Sequence, residues 1–452
     1  MRRPSRKVLF ITYYFPPSGG AGVQRPLKFV KYLPQFGWLP VVLTARNADY
    51  PAFDYSFEKE VPQEVPVYRS RIWEPYRIYR RFTGKDMSEA TDIATLTLDE
   101  QARKSWRERI PQWVRSAFFV PDARIVWLPF AVRMGMRIIR KEKVCAIFST
   151  APPYTTLLIG LFLHRLSHLP WVVDFRDSWI GWLSAPQWRP VISRKIEWRM
   201  EEAVLKHAAK ILTVTRGIRD DLLSRHPDKK GKCWMLLPNG YDAQDFEGIV
   251  PKDVDDRHLV LTYSGSLYGP RNPESLVQAL EILLEEAPEV AQTFSVRLVG
   301  RVGGPILERI RQSPASGLFR HIPYVPHHES LAYLLASDVA LLIIDDAPVN
   351  RGILTGKIFE YIGAGLPILA LAGEGEAAEL IRKYRLGWVV HPRDVAGITN
   401  ILRELAEQKE ALKRNRRGWA DSKVQQRFER RQQAKMLADL LNKVAICADI
   451  KT

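Results

Sequence analysis

Ten short runs dominated by Val, Ile and Leu punctuate the chain: KVLFITYY, PVVLTA, VCAIFST, WVVDF, KILTVT, LVLTYSG, FSVRLVG, VALLII, PILALA and GWVV. They lack the polar alternation of half-exposed strands, so they predict parallel strands covered on both faces. Amphipathic stretches lie between them. Over 23–33, Val23, Leu27, Val30 and Leu33 fall on one helical face. Alternating β and α elements predict a doubly wound α/β architecture. A seam is expected near 238–257, where LPNGYDAQDFEGIVPKDVDD brings Asn-Gly, Pro and acidic residues before the next apolar run. Over the last 50 residues strand signals stop and charged helical spacing predicts terminal helices. Neither a repeat of solenoid length nor a low-complexity tract interrupts this pattern.

Composition narrows the classes without choosing one. With 452 residues, 46% hydrophobic and 26% charged, the chain suits two globular domains. A formal charge of +17 predicts attraction to phosphates on a nucleotide, a nucleic acid or a lipid surface. Its basic residues are dispersed and no DNA or RNA motif is present, so no specific nucleic-acid partner is expected. Cys145, Cys233 and Cys447 form no CxxC pair, which fits a reduced cytoplasmic setting. The basic start and apolar run of MRRPSRKVLFITYYFPP read as a first strand rather than a signal peptide, because Pro16-Pro17 cut the run short. No transmembrane helix is expected, since the longest later apolar stretch, LLIGLFL at 157–163, is far below the ~20 residues that span a bilayer. Residues 72–143 mix Trp106, Trp113 and Trp127 with Phe, Arg and Lys, with a helix from about Leu128. That segment reads either as an element lying on an anionic membrane surface or as a core helix with basic residues in solvent.

Two stretches carry candidate chemistry. In ITYYFPPSGGAGVQRPLKF a strand runs into Gly19, Gly20 and Gly22 before a helix. Such a turn presents backbone N–H groups at the carboxyl edge of the sheet, to a ligand or simply as a tight βα turn. It lacks the GxGxxG dinucleotide pattern. In VNRGILTGKIFEYIGAGLPILALAGEGEAAELI, Thr355 is placed to cap a helix starting near Gly356. Lys357 then sits in the first turn, where it opposes the helix dipole, and Glu360 follows one turn later. A bound anion would explain the lysine; a solvated lysine paired with Glu360 is the plainer alternative. Metal ligation is poorly supported: His164 and His168 have i,i+4 spacing but no third ligand, and Asp345-Asp346 is an acidic pair of the kind that holds magnesium in other folds.

Together, YYFPPSGGAGVQR, LPNGYD and TGKIFEYIGAGLPILAL, in that order, resemble family-4 retaining glycosyltransferases of the GT-B fold. PDARIVWLPFA, PWVVDFRDSW, YSGSLYGPRNPESLVQAL and VPHHESLAYLLASDVALL are similar to segments of bacterial members that build surface polysaccharides. The resemblance implies two Rossmann-like domains facing a central cleft: 1–240 on the acceptor side, 241–425 binding a nucleotide sugar, and a helix over 426–445 packing back on the first. Glu360 would accept hydrogen bonds from the ribose, and Arg271 and Lys357 would neutralise the diphosphate. Gly265, Gly352, Ile353, Leu354 and Thr355 would complete the donor site. Gly19 and Gly20 would face the diphosphate and reacting sugar, with Gly22, Gln24 and Arg25 on the acceptor side. Asp174, Arg176 and Asp177 would orient acceptor or donor sugar, or form a structural Arg–carboxylate pair.

The implied reaction is attack of an acceptor hydroxyl on the anomeric carbon of a nucleoside-diphosphate sugar, with retention and no essential metal or other cofactor. The acceptor would be a saccharide or lipid-linked saccharide, met in the cytoplasm or at the inner face of its membrane. One departure stands out: where the family commonly carries a glutamate eight residues before Glu360, this chain has Gly352. Altered donor contacts, a non-catalytic sugar-nucleotide-binding protein and a sugar-nucleotide epimerase therefore remain as alternatives.

Overall fold

The computed structural model describes residues 6–50, 52–72, 120–180 and 190–449. The chain forms two compact units, one of residues up to Pro238 together with those from Arg430 onward, the other of Asn239–Glu429. Each is built on one wholly parallel sheet.

In the first unit, β1 (Arg6–Ile11), β2 (Trp38–Ala45), β3 (Val67–Ser70), β4 (Ala146–Ala151), β5 (Trp171–Phe175), β6 (Lys210–Thr213) and β7 (Trp234–Leu236) take the order β3-β2-β1-β4-β5-β6-β7. The register sets Arg6 opposite Trp38 and Val8 opposite Ala146. Along β1, Leu9 and Ile11 enter one core with Leu157, Val173 and Val204, while Val8 and Phe10 enter the other with Phe29, Leu437 and Leu441. Successive side chains point to opposite faces and both faces are buried, hence the uninterrupted apolar run. Helices Leu128–Glu142, Thr155–Ser167, Val191–His207 and Arg216–Arg225 cover the first face. Helices Ala21–Tyr32 and Arg430–Asp449 cover the second. The latter, expected over 426–445, begins after an extended Glu429 that ends the preceding helix Ser422–Phe428. Its Asn442 accepts the Trp38 indole N–H at 3.0 Å.

In the second unit, β8 (Leu259–Ser264), β9 (Phe294–Val299), β10 (Phe319–Ile322), β11 (Val339–Ile343), β12 (Ile368–Leu371) and β13 (Gly387–Val390) take the order β10-β9-β8-β11-β12-β13. Leu341 and Ile343 face the core beneath Glu274–Glu286 and Val395–Glu407, and Leu342 and Ile344 the core beneath His327–Leu335 and Gly356–Ala364. The two ends of this unit meet: Tyr241 pairs with Glu429 in a parallel bridge, and its N–H donates to the Phe428 carbonyl at 3.1 Å.

One surface reading changes. Trp127, expected among membrane-facing aromatics, is completely buried and its indole donates to Ser70 Oγ at 2.6 Å, because it seeds the helix that closes over the sheet. Trp106 and Trp113 lie outside the described residues. Among the described residues no helix is long and apolar enough to cross a membrane.

Candidate functional site

In the second unit β8 and β11 adjoin, while the chain leaves them toward opposite edges of the sheet. At such a switch point the loops after the two strands part and leave a crevice for a ligand. Gly265, the first residue after β8, has φ of +130°, a region L side chains rarely adopt, and a Cβ there would collide with Lys357 Cε. The lysine thus lies folded back over the strand end, its Nζ 5.3 Å from the centre of the Tyr263 ring. Burial, and then the neighbouring charge of Arg271, push its pKa down to about 8, against the opposing pull of Glu360. Arg271 is fixed by a tight turn in which it and Tyr268 exchange backbone hydrogen bonds at 3.1 Å. Its Nε is buried without a partner.

The loop after β11 supplies further polar atoms. Asp345 accepts from the Ala347 N–H at 3.1 Å and from the Asn350 amide, shaping the short helical turn Pro348–Gly352. Asn350 Oδ1 is buried and unpartnered. Thr355 occupies the N-cap position of Gly356–Ala364, but its side chain makes no cap hydrogen bond and Oγ1 is buried without a partner. The expected cap therefore corrects to an open hydroxyl. Gly352, Ile353 and Leu354 are partly buried, and the Ile353 amide is spent on Asn350 O at 3.0 Å. Leu354 and Thr355 are the residues of this run whose amides make no hydrogen bond among the described residues.

Orphaned buried polar atoms are costly and mark a missing partner. Here they sit beside two mutually repelling cations, and Lys357 makes no ion pair among the described residues. An anion with several acceptor oxygens answers the donors among them, the Arg271 Nε–H, the Thr355 hydroxyl and the Lys357 ammonium, whereas Asn350 Oδ1 is an acceptor and calls for a donor. One helical turn on, Glu360 Oε1 meets His327 Nε2 at 3.1 Å, both side chains about 30% exposed. The histidine comes from the start of His327–Leu335, 33 residues away in sequence, and no sequence signal tied it to this carboxylate.

The first unit has its own switch point between β1 and β4. Gly20 has φ of +81° and supplies the turn, but the Gly19 N–H donates to Ala52 O at 2.8 Å. Gly19 is thus not a free donor; it ties down the 52–55 loop. Gly22 lies against the Tyr14 ring, where a Cβ would sit 3.2 Å from Cδ2. Gln24 is partly exposed.

Arg25 and Asp174, assigned to acceptor side and catalysis, are buried and spent on each other. Nε and Nη2 of Arg25 donate to the two carboxylate oxygens at 2.9 and 2.8 Å. Thr150 Oγ1 also donates to Asp174, and Arg25 reaches the Leu237 and Pro238 carbonyls. This pair fastens the first helix to β5 and to the end of the unit. Arg176 differs: it donates to the carbonyls of Ala151, Gly22 and Pro152 at 3.1, 2.6 and 2.6 Å. Carbonyls orient the guanidinium without cancelling its charge, and burial lowers its pKa. Asp177 is exposed.

Sequence reasoning missed Phe53 and Tyr55. Their rings stack at 6.4 Å and 17°, they are 56% and 66% exposed, and a bridge from Ser18 to Phe53 holds them beside the glycine turn. His164 and His168 do not share a helical face, because the helix ends at Ser167 and His168 adopts φ of 59°. Asp346 faces His391 at 3.2 Å, while Asp345 serves its loop.

Residues 259–408 match the family described as glycosyl transferases group 1. The match covers about a third of the chain and lies within the second unit. Arg271, His327, Lys357 and Glu360 all lie inside it. Over 224 residues, 46% of each chain, the protein is 23% identical to D-inositol 3-phosphate glycosyltransferase of Streptomyces avermitilis. The match thus spans about half the length of that curated relative. Among solved structures, OtsA in its apo form aligns with TM-score 0.57 at 13% identity, covering 96% of this chain and 99% of that one. An E. coli structure described as trehalose-6-phosphate bound with UDP-2-fluoro glucose aligns with TM-score 0.57 at 10% identity, over 98% of both. WaaG, a glycosyltransferase involved in lipopolysaccharide biosynthesis, aligns with TM-score 0.50 at 15% identity, covering 96% and 99%. The fold is the GT-B fold, two parallel-sheet Rossmann-like domains, and the residues matched to the group 1 family lie in its second unit.

Proposed function

We propose that the protein is a retaining glycosyltransferase that moves a sugar from a nucleoside diphosphate to a hydroxyl of a saccharide or lipid-linked saccharide in the cytoplasm. The observation that carries this reading is the unneutralised Lys357 over Gly265, beside Arg271 with its unpartnered Nε and the open Thr355 hydroxyl. In the proposed reaction the acceptor oxygen bonds to the anomeric carbon, the bond from that carbon to the diphosphate breaks, and the acceptor proton passes to the departing phosphate oxygen. Lys357 and Arg271 stabilise the charge that grows on the leaving group. Glu360, steadied by His327, holds the ribose. The stacked Phe53 and Tyr55 offer an apolar face suited to the C–H face of an acceptor sugar ring. The likeness to WaaG favours a role in building a cell-surface polysaccharide.

Calorimetry with UDP-, GDP-, ADP- and dTDP-sugars in the presence of EDTA tests the donor site and its independence of metal. One selective donor is expected; a folded protein that binds none of them refutes the site. Glu360→Ala is expected to weaken that donor by about 1.5–3 kcal/mol, the scale of a hydrogen bond to a charged group. Wild-type affinity in the folded variant removes the ribose assignment.

The pH dependence has a definite sign. Protonated Lys357 is the binding form and its pKa is about 8. Donor affinity should be level below that pH and fall above it, by up to about tenfold per unit, because binding must then take up a proton. Lys357→Arg should abolish this break, since arginine stays charged. A break that persists at the same pH in the arginine variant assigns it to another group.

A further inference from the structure

The loop after β11 holds one buried polar atom that a diphosphate does not answer. Asn350 is 6% exposed, its N–H donates to the Ala347 carbonyl at 2.8 Å, and its Oδ1 meets no donor among the described residues. The amide cannot be turned round to satisfy it. Its Nδ2 end lies against two acceptors of Asp345, the carbonyl at 3.2 Å and the carboxylate, so the opposite end must be the oxygen. Asp345 is fixed in turn by the Ala347 N–H at 3.1 Å. The loop after β12 closes over this turn: a Cβ at Gly375 would collide with the Arg351 carbonyl, and one at Gly373 with the Asp346 carboxylate. Glycine at both positions lets one loop lie directly on the other, which braces the turn that carries Asn350.

We infer that Asn350 Oδ1 accepts a hydrogen bond from a ring hydroxyl of the transferred sugar. The inference rests on the donor reading proposed above and adds the sugar to it. A buried carbonyl oxygen without a donor is costly, and diphosphate oxygens, being acceptors themselves, would only repel it. A sugar hydroxyl supplies the missing O–H. In a sugar nucleotide the order of groups is ribose, diphosphate, sugar; along the chain the matching order is Glu360, then Lys357 and Thr355, then Asn350. Gly352, Ile353 and Leu354 carry no polar side-chain atom, which leaves Asn350 as the side-chain acceptor beyond the phosphates. A neutral amide accepts without adding negative charge beside Lys357 and Arg271, whose charge the leaving group needs. For the same reason it refuses a sugar that presents a carboxylate at that point.

The test is calorimetry on the full chain with UDP, GDP, ADP and dTDP and with their glucose, galactose and mannose conjugates, for wild type, Asn350→Ala and Asn350→Ser. Serine keeps a donor for Asp345, but its oxygen, drawn back to that carboxylate, no longer reaches the sugar; it serves where the alanine variant does not fold. Both variants should bind the preferred conjugate about 5- to 10-fold more weakly, the scale of one hydrogen bond between neutral groups, and its bare nucleoside diphosphate within about twofold of wild type. Removing one ring hydroxyl from the sugar should cost wild type a similar factor and cost the variants nothing further, because both changes break the same bond. Losses that simply add overturn the inference. Equal weakening of conjugate and bare diphosphate reduces Asn350 to a loop former, and unchanged binding of both by a folded variant removes it from the site; either result overturns the inference while the donor reading stands. So does a wild type that binds a bare diphosphate and none of the conjugates. A wild type that binds none of these ligands overturns the donor reading itself, and this inference with it.

Discussion

Lys357→Ala is expected to slow sugar transfer by about 10²–10³-fold, the scale of removing one preorganised charge from a developing anion. The same substitution is expected to stabilise the apo protein. Its folded pKa of about 8 lies below the ordinary 10.5, so between these values the unfolded chain binds more protons and wild-type stability rises with pH. Below about pH 8 the buried charge exerts its full penalty, and the alanine variant should melt higher at pH 7 than the wild type. Paired measurement of turnover and melting decides the matter. A variant that loses rate and melts lower assigns the lysine to the scaffold; one that keeps its rate removes it from the reaction.

Asp174→Ala should cost about 3–5 kcal/mol of stability, because it strands the Arg25 guanidinium in the interior. Both side chains are at most 2% exposed, so solvent cannot take over the lost hydrogen bonds. Replacing both partners, as Arg25→Met with Asp174→Leu, should recover most of the loss, since no charge is then left buried. Denaturant unfolding measures both. If Asp174→Ala folds with wild-type stability and loses only turnover, the carboxylate belongs to the reaction and the pair is not a fastening.

Nine of the ten apolar runs announced interior strands, and the tenth, GWVV, is itself an edge strand that is only partly buried over residues 387–389. The three strands missed by that pattern, VYRS, WML and FRHI, all lie at sheet edges. An edge strand pairs on one side and leaves side chains half exposed, so its composition need not be apolar. Lys357 was legible for a different reason: a cation in the first turn of a helix has no structural use there. The partnership of Glu360 with His327 was not legible, because it is made by two helices meeting on one face of the sheet. Arg25 and Asp174 were noticed separately and given separate tasks. Their pairing, 149 residues apart in sequence, depends on strand order, which local pattern does not carry. Phe53 and Tyr55 escaped because exposure of an aromatic ring is decided by the loop that holds it.

The meeting of Tyr241 with Phe428 and Glu429 has a practical consequence for dissecting the protein. In genetic terms the second unit is a cassette inserted into the first, with its entry and exit side by side. Residues 239–429 can be excised as one fragment, and a short loop joining 238 to 430 restores an uninterrupted reading of the remainder. Cutting the gene once at the seam does something else: it discards Leu437, Leu441 and Val444 and lays bare Phe10, Val42 and Phe148. A stop codon after Pro238 should therefore give an aggregating product, whereas the spliced version should be soluble.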